Sequence, residues 1–148
     1  MYILNKILLF VLFNSLVFAN QKNIIDVFED YNKSFAAKDY RNIVKHFDLP
    51  ASFNLQEKTI SASSKFKLKL IYRKIRGDLP EYYSHSVWDE LEIEILDNKI
   101  AIVNAKFSRY KKDGTIFYTG SGKYSLRNTI EGWKFFSILP YDKTEKID

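Results

Sequence analysis

Cysteine is absent from the chain, so no disulfide, thiolate nucleophile or cysteine-ligated metal is available within it. Histidine is nearly absent. His46 and His85 stand far apart and neither belongs to an HExxH spacing, which speaks against a zinc centre, and no metal site is expected. Glycine is scarce, with five residues. The one close pair, Gly120-Ser121-Gly122, lies inside a strand-like run with no helix after it, so there is no phosphate-cradling loop. No serine stands in a nucleophile-elbow setting, and the chain holds no internal repeat, linker or low-complexity run. Charge of one sign does not dominate either. The 23 basic and 18 acidic residues leave a formal +5, a modest excess that does not suggest a nucleic-acid partner. No cofactor is expected.

What is present is a rich apolar complement. With 46% hydrophobic and 16% aromatic residues in 148, one domain with a real core is expected, and without disulfides that core must rest on packing. The first nineteen residues, MYILNKILLFVLFNSLVFA, join a short start carrying Lys6 to an apolar run ending in the small residue Ala19. This pattern predicts a signal peptide over 1–19, cleaved after Val17-Phe18-Ala19. The rival is a retained anchor, but the uninterrupted apolar stretch falls short of the roughly 20 residues that a spanning helix needs. The product is expected to be periplasmic or secreted, with no stable membrane insertion after cleavage. Its domain would cover 20–141, followed by a frayed tail over 142–148.

Within the domain, Ile24, Phe28, Tyr31 and Phe35 recur at helical spacing and predict a helix over Ile24–Lys38. Asp39 reads as the N-cap of a second helix with the stripe Tyr40, Ile43, Val44 and Phe47, ended by Pro50. The segment SSKFKLKLIYRKIRGDLP permits two readings. As a strand it puts Phe66, Leu68, Leu70 and Tyr72 on one face; as a helix it clusters Leu68, Ile71, Tyr72 and Ile75. Helix is preferred, because the serines before it offer N-caps, its lysines and leucines are good helix formers, and Gly77 can stop it. Thereafter the period changes to two. Turns at Asp97-Asn98, Lys111-Lys112-Asp113-Gly114 and Glu131-Gly132 separate four long antiparallel strands. Helices followed by such a sheet define an α+β class, with about three helices gathered on one face of a four- to five-stranded antiparallel sheet.

The order of these elements, with FEDYNKSFAAKDYRNIVKHF at the front, the RYKKDG turn and the endings GSGKYSL and EGWKFFSIL, resembles the nuclear transport factor 2-like superfamily, which includes SnoaL-like and ketosteroid isomerase-like proteins of cystatin-like shape. The resemblance runs from about Ile24 to Leu139. It implies a cone in which a strongly curved sheet wraps a long helix and leaves a pocket at the wide end, with a short strand near Ala51–Leu55 and a third helix between that strand and the long hairpin. The superfamily holds isomerases, dehydratases, hydrolases, binding modules and non-catalytic association domains, so the fold alone does not select a function.

Strand parity nominates pocket residues. Leu91, Ile93 and Ile95 share parity with His85 and Asp89, which would give an apolar cavity an acid–base pair. The competing reading, which we prefer, is a bulge near Ser86–Trp88 that flips the register and leaves both in solvent. Arg109 shares a face with Val103, Ala105 and Phe107; it either meets an anionic or carbonyl group or forms an ion pair with Asp113 or Asp89. Tyr118, Gly120, Gly122 and Tyr124 share the next face, where two glycines leave either ligand space or a sharp sheet bend. Trp133 and Phe135 continue this inner face opposite Tyr31 and Phe35. The candidate set is therefore Asp89 and His85 for catalysis, and Tyr31, Phe35, Arg109, Tyr118, Tyr124, Trp133 and Phe135 for ligand binding. Three functions compete: an exported binding or accessory module for a small apolar molecule; a cofactor-free lyase or isomerase using Asp89 and His85, with Tyr31 or Tyr124 donating to an oxyanion; and a homodimer formed through the convex sheet face.

Overall fold

The computed structural model describes residues 2–142. The expected fraying of the tail concerns residues that lie, past Asp142, outside that range. A long helix, α1 (Tyr2–Ala36), is followed by a short helix α2 (Tyr40–Lys45), strands β1 (Phe47–Asn54) and β2 (Thr59–Ala62), and a third helix α3 (Lys65–Gly77). Four long strands complete the domain: β3 (Tyr83–Ile95), β4 (Ile100–Lys111), β5 (Ile116–Thr129) and β6 (Gly132–Tyr141).

The domain part of α1 follows the predicted stripe. Ile24 and Phe28 are fully buried and Phe35 nearly so, with Tyr31 between them at the same spacing. Two bonds fasten this helix to the edge strand: the Trp88 indole donates to the Phe28 carbonyl at 2.9 Å, and the Asn32 amide donates to the Ser86 carbonyl at 3.0 Å. The helix ends in a Schellman arrangement, with Asp39 N–H donating to Ser34 O and Lys38 N–H to Phe35 O, and with Lys38 at φ 59° where glycine is usual. Asp39 then caps α2 as expected, accepting from Asn42 N at 3.0 Å. The second stripe is shorter than predicted. Ile43 and Val44 are helical and buried, but Phe47 is the first residue of β1, and Pro50 lies inside that strand where its pairing with β6 shifts register. At its other end, α1 extends back to Tyr2, and Leu9, Phe10, Phe13 and Phe18 on it are exposed.

The central segment is a helix. Ser64 accepts from Lys67 N at 3.2 Å, Leu68 and Tyr72 are buried, and Phe66 and Leu70 face solvent, as the helical clustering requires and a strand would forbid. Its Arg76 serves the end of a different helix. Arg76 donates through Nε to Phe35 O at 3.2 Å and through Nη2 to Ala36 O at 3.4 Å, covering the last carbonyls of α1, and lies 4.4 Å over the Tyr83 ring.

The sheet has six strands in the order β2-β1-β6-β5-β4-β3, one to two more than predicted, and it is mixed because β1 runs parallel to β6. Register shifts occur on β3 between Tyr83 and His85 and between Trp88 and Glu90, and again along β4–β5 and β5–β6. Such bulges sharpen the twist and curl the sheet around α1, giving the cone. Between sheet and helices the core is strongly aromatic. Phe28 makes edge contacts with Trp88, Tyr124 and Phe135 at centroid distances of 5.1, 5.1 and 5.0 Å, each contributing about 0.5–1.5 kcal/mol beyond its burial.

Candidate functional site: a two-part cavity at the open end of the cone

Helices α1 and α3 do not fill the sheet to its open end. An inner chamber of about 250 Å³ remains there, walled by aromatic side chains from both layers, among them Tyr31 and Phe35 of α1, Tyr72 of α3, Trp88 of β3, Phe107 of β4 and Tyr124 of β5. It opens into a vestibule of about 430 Å³ bounded by the β1–β2 turn at Leu55–Lys58, by Tyr118 and by the end of β6. Leu55, Phe107, Arg109, Ser121 and Pro140 border both spaces and so mark the passage between them.

Polar groups in the chamber are few. The Tyr31 and Tyr72 hydroxyls lie 3.1 Å apart and share one hydrogen bond. Burial pushes the Tyr31 hydroxyl up to about 12, against the opposing effects of its bond to Tyr72 and the nearby Arg109 charge; Tyr72 is driven well above the ordinary tyrosine value, first by burial and then by Tyr31. Tyr124 rises for the same reason, and Tyr83 also rises through burial, moderated by Ser86, Arg76 and Arg109. These hydroxyls therefore stay protonated at neutral pH and act as neutral hydrogen-bonding groups. The Tyr124 hydroxyl bonds to no described residue, whereas the Trp88 indole N–H is already committed to α1.

Arg109 is the one charged residue on the chamber wall. Its guanidinium carbon lies 5.2 Å from the Phe107 ring centre and 5.0 Å from that of Tyr118. Its Nε is sealed from solvent and has no acceptor. Neither predicted ion-pair partner is engaged with it: Asp89 accepts from Ser108 Oγ at 2.6 Å, and Asp113 accepts from Thr115 within its own turn. Burial of a cation is costly, and the two ring faces offset only part of that cost.

Gly120 explains how both rings fit against Arg109. A Cβ there would lie 2.6 Å from Phe107 Cζ and 2.8 Å from Tyr118 Cε1. The space left by this glycine is thus occupied by the protein's own rings, which neither sequence reading of the glycine pair anticipated.

The candidate residues divide sharply. Tyr31, Phe35 and Tyr124 line the chamber, Arg109 stands at the passage and Tyr118 walls the vestibule. Trp133 and Phe135 do face inward, but they lie deeper along the strand: Phe135 is fully buried beneath Phe28, Tyr31 and Tyr124, and Trp133 lies at the far end beside Asn23 and His46. Neither can touch a ligand in the chamber. The nominated acid–base pair, His85 and Asp89, is not in the chamber, as the preferred reading of a β3 bulge expected. The register shifts on β3 turn Tyr83, Ser86 and Trp88 inward and leave His85 and Asp89 exposed on the other face, where His85 stacks on Tyr110 at 5.0 Å. Trp88 and Tyr72 are wall residues missing from the candidate set. Tyr72 was on the helical stripe of α3 and could have been nominated from it, but Trp88 carried no local signal because parity pointed it outward.

The comparisons agree with this architecture. A family model described as NTF2-like protein (DUF6841) matches residues 21–143, and the chain belongs to that family. No match is found among curated proteins. Among solved structures, a Nostoc punctiforme protein of unknown function with a cystatin-like fold superposes with a TM-score of 0.71 at 10% identity, over 82% of this chain and 90% of that one. A Novosphingobium aromaticivorans protein provisionally described as an aromatic ring hydroxylase gives 0.69 at 14% identity, over 86% and 92%. A Streptomyces avermitilis protein provisionally described as an NTF2-like dehydratase gives 0.64 at 11% identity, over 84% and 96%. Identities this low carry the fold and not the chemistry.

Proposed function

We propose that this NTF2-like protein is an exported binding or accessory module for a small, largely apolar molecule. The observation that carries the reading is the inner chamber: a concave, aromatic-walled space with few polar groups and, among its lining residues, no carboxylate or imidazole. The lyase or isomerase reading needed His85 and Asp89 in that space and loses its motivation with both on the outer face. Export is supported by two features: the family match begins at Gln21, just past the proposed cleavage point, and the apolar side chains of residues 9–13 are exposed instead of contributing to the core.

Native mass spectrometry of the protein purified from its own host tests the binding function. The expected result is a retained small molecule, lost on denaturation, together with an amino terminus at Asn20. An empty protein that also gains no ligand from metabolite extracts would count against it.

A further inference from the structure

The chamber wall presents one positive charge, Arg109, among its described lining residues. A guanidinium has five N–H donors in a planar fork, yet Arg109 makes no hydrogen bond or ion pair to any described residue. The rings of Phe107 and Tyr118 occupy positions near its carbon and hold the plane, and rings approaching a guanidinium in this way leave the donor edges free. Both rings come from paired strands, Phe107 opposite Gly120 and Arg109 opposite Tyr118, so the cation is held on the rigid part of the scaffold. Its charge is felt inside the chamber, where it opposes the effect of burial on Tyr31 and Tyr124. Glu57 and Asp142 border the vestibule, but neither pairs with it.

The acceptor that suits such a group is anionic, offers two oxygens side by side and is presented at the passage, with the rest of the molecule directed into an aromatic space. A carboxylate matches the fork with two parallel bonds. The chamber volume of about 250 Å³ is below the roughly 300–1,000 Å³ typical of drug-sized ligands, which limits the body to one or two rings or a short chain. Resting on the binding function proposed above, we infer that the ligand is a small monocarboxylate with a flat or chain-like apolar body, its carboxylate held by Arg109 and its body in the inner chamber. A second carboxylate would extend into a vestibule bordered by Glu57 and Asp142 and is disfavoured there.

Three matched pairs of probes test this by calorimetry on the intact protein: benzoate with benzyl alcohol, 2-naphthoate with 2-naphthalenemethanol, and decanoate with decanol. At least one acid should bind roughly tenfold or more tightly than its alcohol, as expected for charge-assisted bonds in a site shielded from water. In Arg109→Gln that preference should vanish while the alcohol binds as before, and Arg109→Lys, which keeps the charge and loses the fork, should restore it only in part. The acid–alcohol difference in the unmodified protein decides the matter even if a variant does not fold. Alcohols that bind as well as or better than their acids would overturn the carboxylate assignment and leave the apolar binding module standing. Failure of all six probes to bind would overturn both.

Discussion

Arg76 and Arg109 both lay a guanidinium against aromatic rings, and they differ in what their N–H groups reach. Arg76 donates to the carbonyls of Phe35 and Ala36 and covers the end of α1; Arg109, at the passage into the chamber, donates to nothing described. The same contrast separates the two ends of the cone. At the closed end, polar groups are matched: Asp30 accepts from the Asn42 amide and lies 2.7 Å from His46 Nε2, and Lys134 pairs with Glu131. At the open end a cation and a tyrosine hydroxyl are left without partners among the described residues. Unmatched groups are costly in a structure held by packing alone, so their concentration around one cavity marks the region shaped for something other than stability.

The largest effect that tests this division is expected at Phe135. Its ring is fully buried among Phe28, Tyr31, Phe47 and Tyr124, and Phe135→Ala should cost about 3–5 kcal/mol in denaturant unfolding through lost burial and the cavity left behind. Were Phe135 a ligand wall at the edge of an already open space, the cost would be far smaller, and a loss below about 1 kcal/mol would sink its assignment to the core.

The arginines come next. Arg76→Gln should destabilise by about 1–3 kcal/mol, because it leaves two helix-end carbonyls without their donor, while leaving probe binding intact. Arg109→Gln should leave the unfolding free energy within about 0.5 kcal/mol of the parent, or raise it, because it removes a half-buried charge that no described residue neutralises. Equal losses at both positions would erase the distinction between a structural and a ligand-facing arginine.

Much of this architecture was legible in the sequence, and the failures share a cause. Asp39 and Ser64 signal helix starts locally, and the stripes of α1 and α3 follow from spacing within one element. Strand β1 was expected only from Ala51 onward, and only through the family resemblance, because Asp48 and Pro50 interrupt its alternation and its place in the sheet depends on β6, far along the chain. Parity named the inner face of β4 and β5 correctly, but parity reports which side a residue faces and not how far along the cone it lies. That depth separates Arg109 from Phe135. On β3 parity alone would have turned His85 and Asp89 inward and Trp88 outward; the preferred reading, a bulge near Ser86–Trp88 with both polar residues in solvent, agrees with the structure, although no local window locates the bulges, because they answer to the curvature of the whole sheet. Gly120 was noticed for the space it leaves, but the rings that take that space arrive from β4 and from two residues back on β5.

The last expected effect is also small, concerns pH and belongs to the closed end. Burial by itself would raise the Asp30 carboxyl; hydrogen bonds from Asn42 and His46 and the positive charge nearby outweigh it, so its folded value lies below the ordinary carboxylate range. Between the folded and unfolded values the unfolded chain binds the proton and the folded one does not, so stability increases with pH across that window. The contribution is therefore present in full above about pH 4 and is lost as pH falls through the folded value. Asp30 is half exposed, so solvent screening holds the effect to at most about 1 kcal/mol. Asp113, held low by its bonds to Thr115, and Glu131, held low by Lys134, add acid sensitivity of the same sign, so the informative quantity is the difference between parent and Asp30→Asn. Urea midpoints measured between about pH 3 and 6 should converge at the acid end and separate toward pH 6, with the parent more stable. Arg109→Gln, by contrast, should shift the parent curve without changing its slope, because a guanidinium does not titrate in that range. A changed acid slope in that variant would mean that a carboxylate does neutralise Arg109 within the protein, and the division between a matched end and an unmatched one would fail at its most telling residue.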